Sequence, residues 1–336
     1  MSEAEGRILR EARSQSRIAI VIPTFEDWES LDVLLPALDA AIAARDFAVR
    51  VVVVDDCSQT PMPAELRKRT YRHLRRVEVL RLRRNLGHQR AIALGLVYVH
   101  QLADGCDTIV VMDGDGEDKP EDVPKLIDAL AQRPEADVVF AQRARRQESW
   151  FFQAMYHLYR GLHWLLTGVA VRVGNFSALR PAALHRVVIV SELWNHYAAS
   201  VFRSRIPFQT LPLARGERYR GRSKMRFSGL VMHGLSAISV FSDIVGVRLM
   251  VSTLVVMLVS GVLMVTVLGV RLFTDLAIPG WATSAIGLLA VVLGQALLVM
   301  LVLSFIILGN RSQVNVIPLT DTQAFVDGVE EVFRAA

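Results

Sequence analysis

Residues 113–118 read Asp113-Gly114-Asp115-Gly116-Glu117-Asp118. Two carboxylates two positions apart, in a turn loosened by glycine, can converge on one hard divalent cation, and Mg²⁺ and Mn²⁺ prefer such oxygen ligands. A cation there would bridge the phosphates of a nucleotide and neutralise a departing diphosphate. Asp-x-Asp triplets also occur as plain solvated turns, so the position of this one matters. It follows the apolar run 108–112, while a second acidic pair, Asp55-Asp56, follows the apolar run 51–54. A third polar end, Pro23-Thr24, follows the apolar run 17–22.

The elements that carry these ends alternate in type. Residues 17–22, 51–54, 108–112 and 138–141 read as buried strands, and 77–82, an apolar run broken by Glu78 and Arg81, as an edge strand. Helical patterns span 31–44, 90–102 and 120–131, the last with Pro120 in its first turn. Such alternation predicts an open, mostly parallel α/β sheet flanked by helices. In these sheets a ligand sits beyond the carboxyl ends of the strands, where the three polar ends lie. No G-x-G-x-x-G follows the first strand and no G-x-x-x-x-G-K-[ST] occurs, so ordinary dinucleotide and P-loop readings lose their main support.

Composition narrows the class. Of 336 residues 52% are hydrophobic and 21% charged, which excludes a disordered chain. Only Cys57 and Cys106 occur, so neither a disulfide framework nor a Cys-rich zinc site is expected, and a reducing compartment is. The first residues are polar and charged, so no secretory signal is expected. The apolar excess gathers in 249–270 and 282–309, neither of which holds a charged residue. At about 1.5 Å per residue the first spans about 33 Å, enough for a hydrocarbon core of about 30 Å. Two core helices are the alternative, and the absence of a polar face speaks against them. The expectation is a membrane hairpin, bracketed by Arg248, Arg271 and Asp275 at its first helix and by Trp281 and Arg311 at its second.

Nine basic residues lie between Arg67 and Arg84 and six between Arg215 and Arg226, against Glu217 alone in the latter run. By the positive-inside rule the part before the hairpin is expected to be cytoplasmic, at the inner (plasma) membrane. Nucleic acid is the other reading of a basic balance. The hairpin favours anionic lipid or a phosphorylated substrate, and nucleic acid is not expected as a partner. The aromatic stretch 150–170 reads as an interfacial helix or a core helix, and 227–247 as an interfacial helix feeding the hairpin.

These motifs resemble family 2 glycosyltransferases of the GT-A fold. More narrowly, they are similar to the polyprenyl-phosphate glycosyltransferases of the dolichyl-phosphate-mannose-synthase-like group, whose bacterial members often carry a two-helix C-terminal anchor. Pro23-Thr24-Phe25-Glu26-Asp27 stands for the family's Pro-Thr-Tyr-Asn-Glu, and Val54-Asp55-Asp56-Cys57-Ser58-Gln59-Thr60 for Val-Asp-Asp-x-Ser-x-Asp. The Asn-x-Gly loop is Asn85-Leu86-Gly87, and the Asp-x-Asp with its following Gln-Asp-Pro is Asp113, Asp115, Glu117, Asp118 and Pro120. Gly-Ser-Arg becomes Ala141-Gln142-Arg143, Gly-Asp-Phe becomes Gly174-Asn175-Phe176, and Arg-x-x-Gly-x-Ser-Lys is intact as Arg218, Gly221, Ser223 and Lys224. Thr60 replaces an acid, Asn175 replaces Asp, and Glu117 replaces a neutral Gln, adding a third negative charge beside the expected metal.

The resemblance implies a GT-A catalytic domain over 1–224, juxtamembrane amphipathic helices over 225–248, transmembrane helices over 249–270 and 282–309, and a cytoplasmic tail over 310–336. It implies a nucleotide-sugar site at Pro23, Thr24, Asp27, Asp55, Asp56, Asn85, Gly87, Asp113 and Gly114, with Mg²⁺ or Mn²⁺ at Asp113, Asp115 and Glu117. Catalytic roles fall to Asp115, Arg143, Arg218 and Lys224, and the acceptor phosphate to Arg143, Arg218, Ser223 and Lys224. The implied activity is inverting transfer of a sugar from a nucleotide donor to polyprenyl phosphate. Such a phosphate is already an anionic nucleophile, so it needs cations to hold it rather than a general base. A transferase acting on a sugar hydroxyl and a non-catalytic nucleotide-binding membrane scaffold are the alternatives. Assembly into a homo-oligomer stays open.

Overall fold

The computed structural model describes residues 15–102, 105–143, 161–168, 173–220, 235–274, 280–312 and 316–335. The chain forms two compact units. One comprises 1–154, 171–240 and 316–336, and the other 155–170 and 241–315.

The first unit is built on an eight-stranded sheet. Its strands are β1 (Ser16–Thr24), β2 (Phe47–Asp55), β3 (Leu74–Leu82), β4 (Thr108–Val111), β5 (Val138–Arg143), β6 (Ser177–Leu179), β7 (Phe208–Leu213) and β8 (Val326–Arg334), in the order β7-β5-β6-β4-β1-β2-β3-β8. The pairs β1–β2, β1–β4, β2–β3 and β5–β7 are parallel, while β6 runs antiparallel to β4 and β5, and β8 antiparallel to β3. The five strands read from the sequence are all present, and so are the three helices, as α1 (Trp28–Ala41), α2 (His88–Gln101) and, after a single 3₁₀ turn at Pro120–Asp122, α3 (Val123–Ala131).

Strand side chains alternate between the two faces, and here both faces are covered. Ile18, Ile20 and Ile22 of β1 join a core with Leu31, Leu34, Leu35 and Leu38 of α1, whereas Ala19 and Val21 join the opposite core with α2. Burial on both faces is why β1, β2 and β4 read as continuous apolar runs. Helix α2 lies very close to the sheet. A side chain at Gly95 would strike Val21 and lie 2.8 Å from Val54 Cγ2.

One expectation is corrected. The run 77–82 is not an edge, because β8 pairs with β3 along its free side. The basic residues that make β3 look like an edge meet acids of β8, with Arg76 2.6 Å from Glu331 and Arg81 2.7 Å from Glu330. A chain segment that would otherwise be a tail thus covers a row of unpaired backbone groups.

The second unit contains two long helices, α4 (Ser242–Phe273) and α5 (Trp281–Ser312). Both are long and apolar enough to cross a membrane, and only 6% of each apolar window is buried. They pack side by side, and they run antiparallel: a Cβ at Gly246, near the start of α4, would lie 2.9 Å from Ile307 Cδ1, near the end of α5. Within the same unit Arg248 Nη1 donates to the Leu165 carbonyl at 2.6 Å, capping the helical turns over 161–167. The expected aromatic helix over 150–170 falls within the described residues only at 161–168, and residues 225–234 of the expected juxtamembrane segment lie outside them.

The close approach at Gly95 generates a prediction. Overpacking a core typically costs about 1–3 kcal/mol, so Gly95→Val should lower the unfolding free energy by about that much. Denaturant melts of the wild-type and variant proteins measure it.

Candidate active site

All the strands whose ends matter point the same way. Pro23 and Thr24 end β1, Asp55 ends β2, and Asp113 lies two residues beyond β4. The loops leaving these ends are then tied to one another. The Asp56 backbone N–H donates to Thr24 O at 2.9 Å. The Asp56 carboxylate accepts from Leu86 N at 2.7 Å and from Gly87 N at 2.8 Å. Asp56 therefore shapes the 85–87 loop, whose turn at Gly87 has φ +92°, a region that favours glycine. Burial raises the pKa of Asp56, and the two backbone donors pull against that rise. Asp55 is also buried, and its Oδ1 accepts from Ser58 N at 3.0 Å.

Glu26 was not singled out by its sequence. It stands at φ +52° and bridges two loops, with its backbone N–H donating to Ser58 Oγ at 2.8 Å and its carboxylate accepting from Gln59 N and Thr60 N. The Trp28 indole donates to Thr60 O at 2.8 Å. Asp27 is the N-cap residue of α1, yet its side chain makes no capping hydrogen bond. Its charge acts on Asp115 instead.

The acidic turn is organised from within and from outside. Asp118 Oδ2 accepts from Asp113 N at 2.9 Å, and Asp115 Oδ1 accepts from Glu117 N at 2.9 Å. Gly114 sits tight against the first strand, where a Cβ would come within 3.1 Å of Ile22 Cγ2. Residues 214–219 then lie along the turn like a strap. Gly216 N donates to Glu117 O at 2.8 Å and Tyr219 N to Asp115 O at 2.9 Å. Gly116 has φ +91°, and a Cβ there would strike the Tyr219 ring at 2.7 Å. Two arginines of the strap reach the acids. Arg218 Nη2 is 2.6 Å from Asp115 Oδ2, Arg218 Nε is 3.3 Å from Glu117 Oε1, and Arg215 pairs with Glu117 Oε2.

Desolvation raises the pKa of Asp115, and the neighbouring Asp113 raises it further against the pull of Arg218 and Arg215. Crowded carboxylates of this kind fit a divalent cation. Among the described residues no three His, Cys, Asp or Glu side chains form a ready metal cage. A site completed by substrate phosphates needs only one or two carboxylates, which Asp113 and Asp115 could supply.

A chain of close polar contacts runs inward from Asp113. His88 Nε2 lies 3.2 Å from Asp113 Oδ1 and 3.1 Å from Asn175 Nδ2. Gln89 Nε2 donates to Asn175 Oδ1 at 3.2 Å, and Gln89 Oε1 accepts from Tyr197 N at 2.8 Å. Desolvation lowers the His88 pKa, but Asp113, with Asp115 and Asp118 behind it, reverses the effect and leaves it raised.

The structure thus brings together Pro23, Thr24, Asp27, Asp55, Asp56, Gly87, Asp113, Gly114, Asp115, Glu117 and Arg218 at one end of the sheet, with Asn85 in the same loop as Gly87. Arg143 ends β5, and its side chain lies outside the described residues, as do Ser223 and Lys224. Arg215, Asn175 and Glu26 were given no site role by the sequence. The available signal for Arg215 was its spacing of three from Arg218.

The glycosyl transferase family 2 description matches residues 19–188. Curated relatives described as undecaprenyl-phosphate 4-deoxy-4-formamido-L-arabinose transferase, from Edwardsiella ictaluri (strain 93-146) and Sodalis glossinidius (strain morsitans), are each 29% identical over 224 residues. The match covers 64% of this chain and 64% of each relative, under two thirds of their length. Among solved structures, glucosyl-3-phosphoglycerate synthase from Mycobacterium tuberculosis, in complex with Mn²⁺, uridine-diphosphate-glucose and phosphoglyceric acid, has a TM-score of 0.50 at 13% identity. That match covers 72% of this chain and 83% of the other, and it is a likeness of fold, the GT-A fold. With half of its length matched by the family and the site at the expected strand ends, the chain belongs to glycosyl transferase family 2.

Proposed function

We propose that the protein is a membrane-anchored inverting glycosyltransferase that moves a sugar from a nucleotide-sugar donor to polyprenyl phosphate at the cytoplasmic face. The observation that carries the reading is the acidic turn of 113–118 with its arginine strap, set beside Asp55 and the loop held by Asp56 at one end of the sheet. The names of the curated relatives support polyprenyl phosphate as the acceptor.

In this reading Asp55 accepts from the nucleoside, and the 85–87 loop, with Pro23, Thr24, Asp27 and Gly114, walls the donor site. Asp113 and Asp115 would hold Mg²⁺ or Mn²⁺, whose charge offsets that of the departing diphosphate. A phosphate oxygen of the acceptor forms a bond to the anomeric carbon, and the bond from that carbon to the nucleoside diphosphate breaks. No proton has to be removed from the nucleophile, so the demand on the protein is electrostatic. Arg218 would meet the diphosphate, and Arg143, Ser223 and Lys224 would hold the acceptor phosphate together with Arg218.

The anchor reading rests on α4 and α5 together with the chain path. Residue 240 leads into the hairpin and residue 316 leads out of it, and both belong to the sheet unit. Two spans would leave the chain before and after the hairpin on the same side of a bilayer, and the basic runs favour the cytoplasmic side.

Two predictions test these assignments. Purified protein given a panel of nucleotide sugars, a polyprenyl phosphate and Mg²⁺ or Mn²⁺ should form a lipid-linked sugar, seen by thin-layer chromatography. Excess chelator should abolish the product, and Asp115→Asn should slow its formation at least about tenfold, or about 1.4 kcal/mol of barrier. Full turnover in chelator would reject the metal. For the anchor, Ala277→Cys, between the two spans, should react with an impermeant thiol reagent added outside intact cells. Labelling only after lysis would reject the topology.

A further inference from the structure

The third carboxylate of the turn is shared between two arginines. Both oxygens of Glu117 are taken by arginines, Oε1 by Arg218 Nε at 3.3 Å and Oε2 by Arg215. Its backbone is spoken for as well: the carbonyl accepts from Gly216 N at 2.8 Å, one residue after Arg215. Glu117 therefore grips the strap through side chain and main chain together. The guanidinium it grips is incompletely used. Arg215 Nε is buried and has no hydrogen-bond partner among the described residues. An orphaned buried N–H costs about 1–3 kcal/mol when nothing meets it, so a donor left in this state beside a phosphate site calls for an acceptor from the ligand. Asp115 and Asp113 also act on Arg215 through their charge.

We propose that Arg215 is a phosphate-binding cation for the donor's diphosphate and that Glu117 is the residue that positions it, rather than a ligand of the metal. A planar guanidinium with one edge on a carboxylate keeps its remaining N–H groups in a fixed direction, which suits the bidentate geometry of phosphate oxygens. The negative charge added at position 117 is matched by the positive charge at 215, so the net charge left for the cation and diphosphate stays close to that of Asp113 and Asp115 with Arg218. The inference rests on the glycosyl-transfer reading for the identity of the diphosphate as that of a sugar nucleotide.

The test separates the two ligands. Mn²⁺ alone is titrated into the full-length protein and followed by the electron paramagnetic resonance of the free ion. Inorganic pyrophosphate is then titrated at saturating Mn²⁺ by calorimetry. Losing one charge-assisted contact should weaken pyrophosphate binding about tenfold or more in both Arg215→Ala and Glu117→Gln. Binding of Mn²⁺ alone should stay within about fivefold, since neither side chain touches the ion. The double variant should bind pyrophosphate no worse than Arg215→Ala, because Glu117 acts through Arg215. Should Arg215→Ala melt well below the wild type, Arg215→Gln takes its place in the comparison.

A tenfold loss of Mn²⁺ alone in Glu117→Gln would make Glu117 a metal ligand and overturn the proposal. Unchanged pyrophosphate binding in the Arg215 variant would overturn it too. No sugar or lipid enters these titrations, so a failed transfer assay would reject the function proposed above and leave the arginine result standing.

Discussion

Four carboxylates occupy six consecutive residues beyond β4, and the surrounding chain is arranged around their mutual repulsion. Two like charges 4 Å apart repel by about 1 kcal/mol in water and about 4 kcal/mol at the effective dielectric of a protein surface. Part of that load is absorbed locally, where Asp118 turns back onto the Asp113 backbone N–H. The larger part is met by residues from a distant stretch of chain. Because β7 runs parallel to β5, and β5 shares the direction of β4 through the antiparallel β6, the carboxyl ends of β4 and β7 lie on the same edge of the sheet. Arg215, two residues past β7, is thereby delivered to an acid turn that starts two residues past β4. The strap needs Gly116 to admit the Tyr219 ring, and Gly216 to lie against the Gly116 carbonyl. Charge balance and strand direction are one constraint here.

The parts of this arrangement that were legible in the sequence are those whose cause is local. Strands β1, β2 and β4 are apolar on both faces and end in polar pairs, so period, burial and site position could be read together. Where pairing is remote the signal fades. Strand β8 contains Gly328 and three acids, and its partners on β3 lie some 250 positions earlier, as in the Arg81–Glu330 pair with a separation of 249. Strand β7 carries Pro212 and is largely exposed, which demotes it in any pattern search. Strand β6 is three residues long. The charges of β3 suggested an edge for a sound reason, because charges do mark edges, but their counter-charges were beyond the reach of a local reading.

The site shows the same division. Asp113 and Asp115 announce themselves by type and spacing, and the structure places them at the expected strand end. Asp56 looks like a ligand-binding carboxylate by its position beside Asp55, yet its two oxygens are committed to the backbone of residues 86 and 87. Only three-dimensional proximity shows that Asp56 builds the 85–87 loop. Asn175 reads as a lost acid in the motif, whereas in the fold it joins His88 to Gln89 and so supports Asp113 from behind. A replacement that removes a charge can still keep a polar contact between neighbouring elements.

The commitments of these side chains bear on what kind of acceptor the proposed reaction can take. Attack by a sugar hydroxyl needs a base within hydrogen-bond reach, and that base must have a lone pair to offer. Asp115 accepts from Arg218 and from the Glu117 backbone, Glu117 holds two arginines, Asp118 holds the Asp113 N–H, and His88 is gripped between Asp113 and Asn175. Each of these contacts occupies an oxygen or the imidazole nitrogen that would have to act. An acceptor that arrives as a phosphate monoester makes no such demand, since its oxygen is already charged. It does require that two anionic reactants be brought together, and each arginine on the strap reduces that repulsion. The salt links that engage Asp115 and Glu117 also hold two cations beside the turn, which suits an anionic nucleophile.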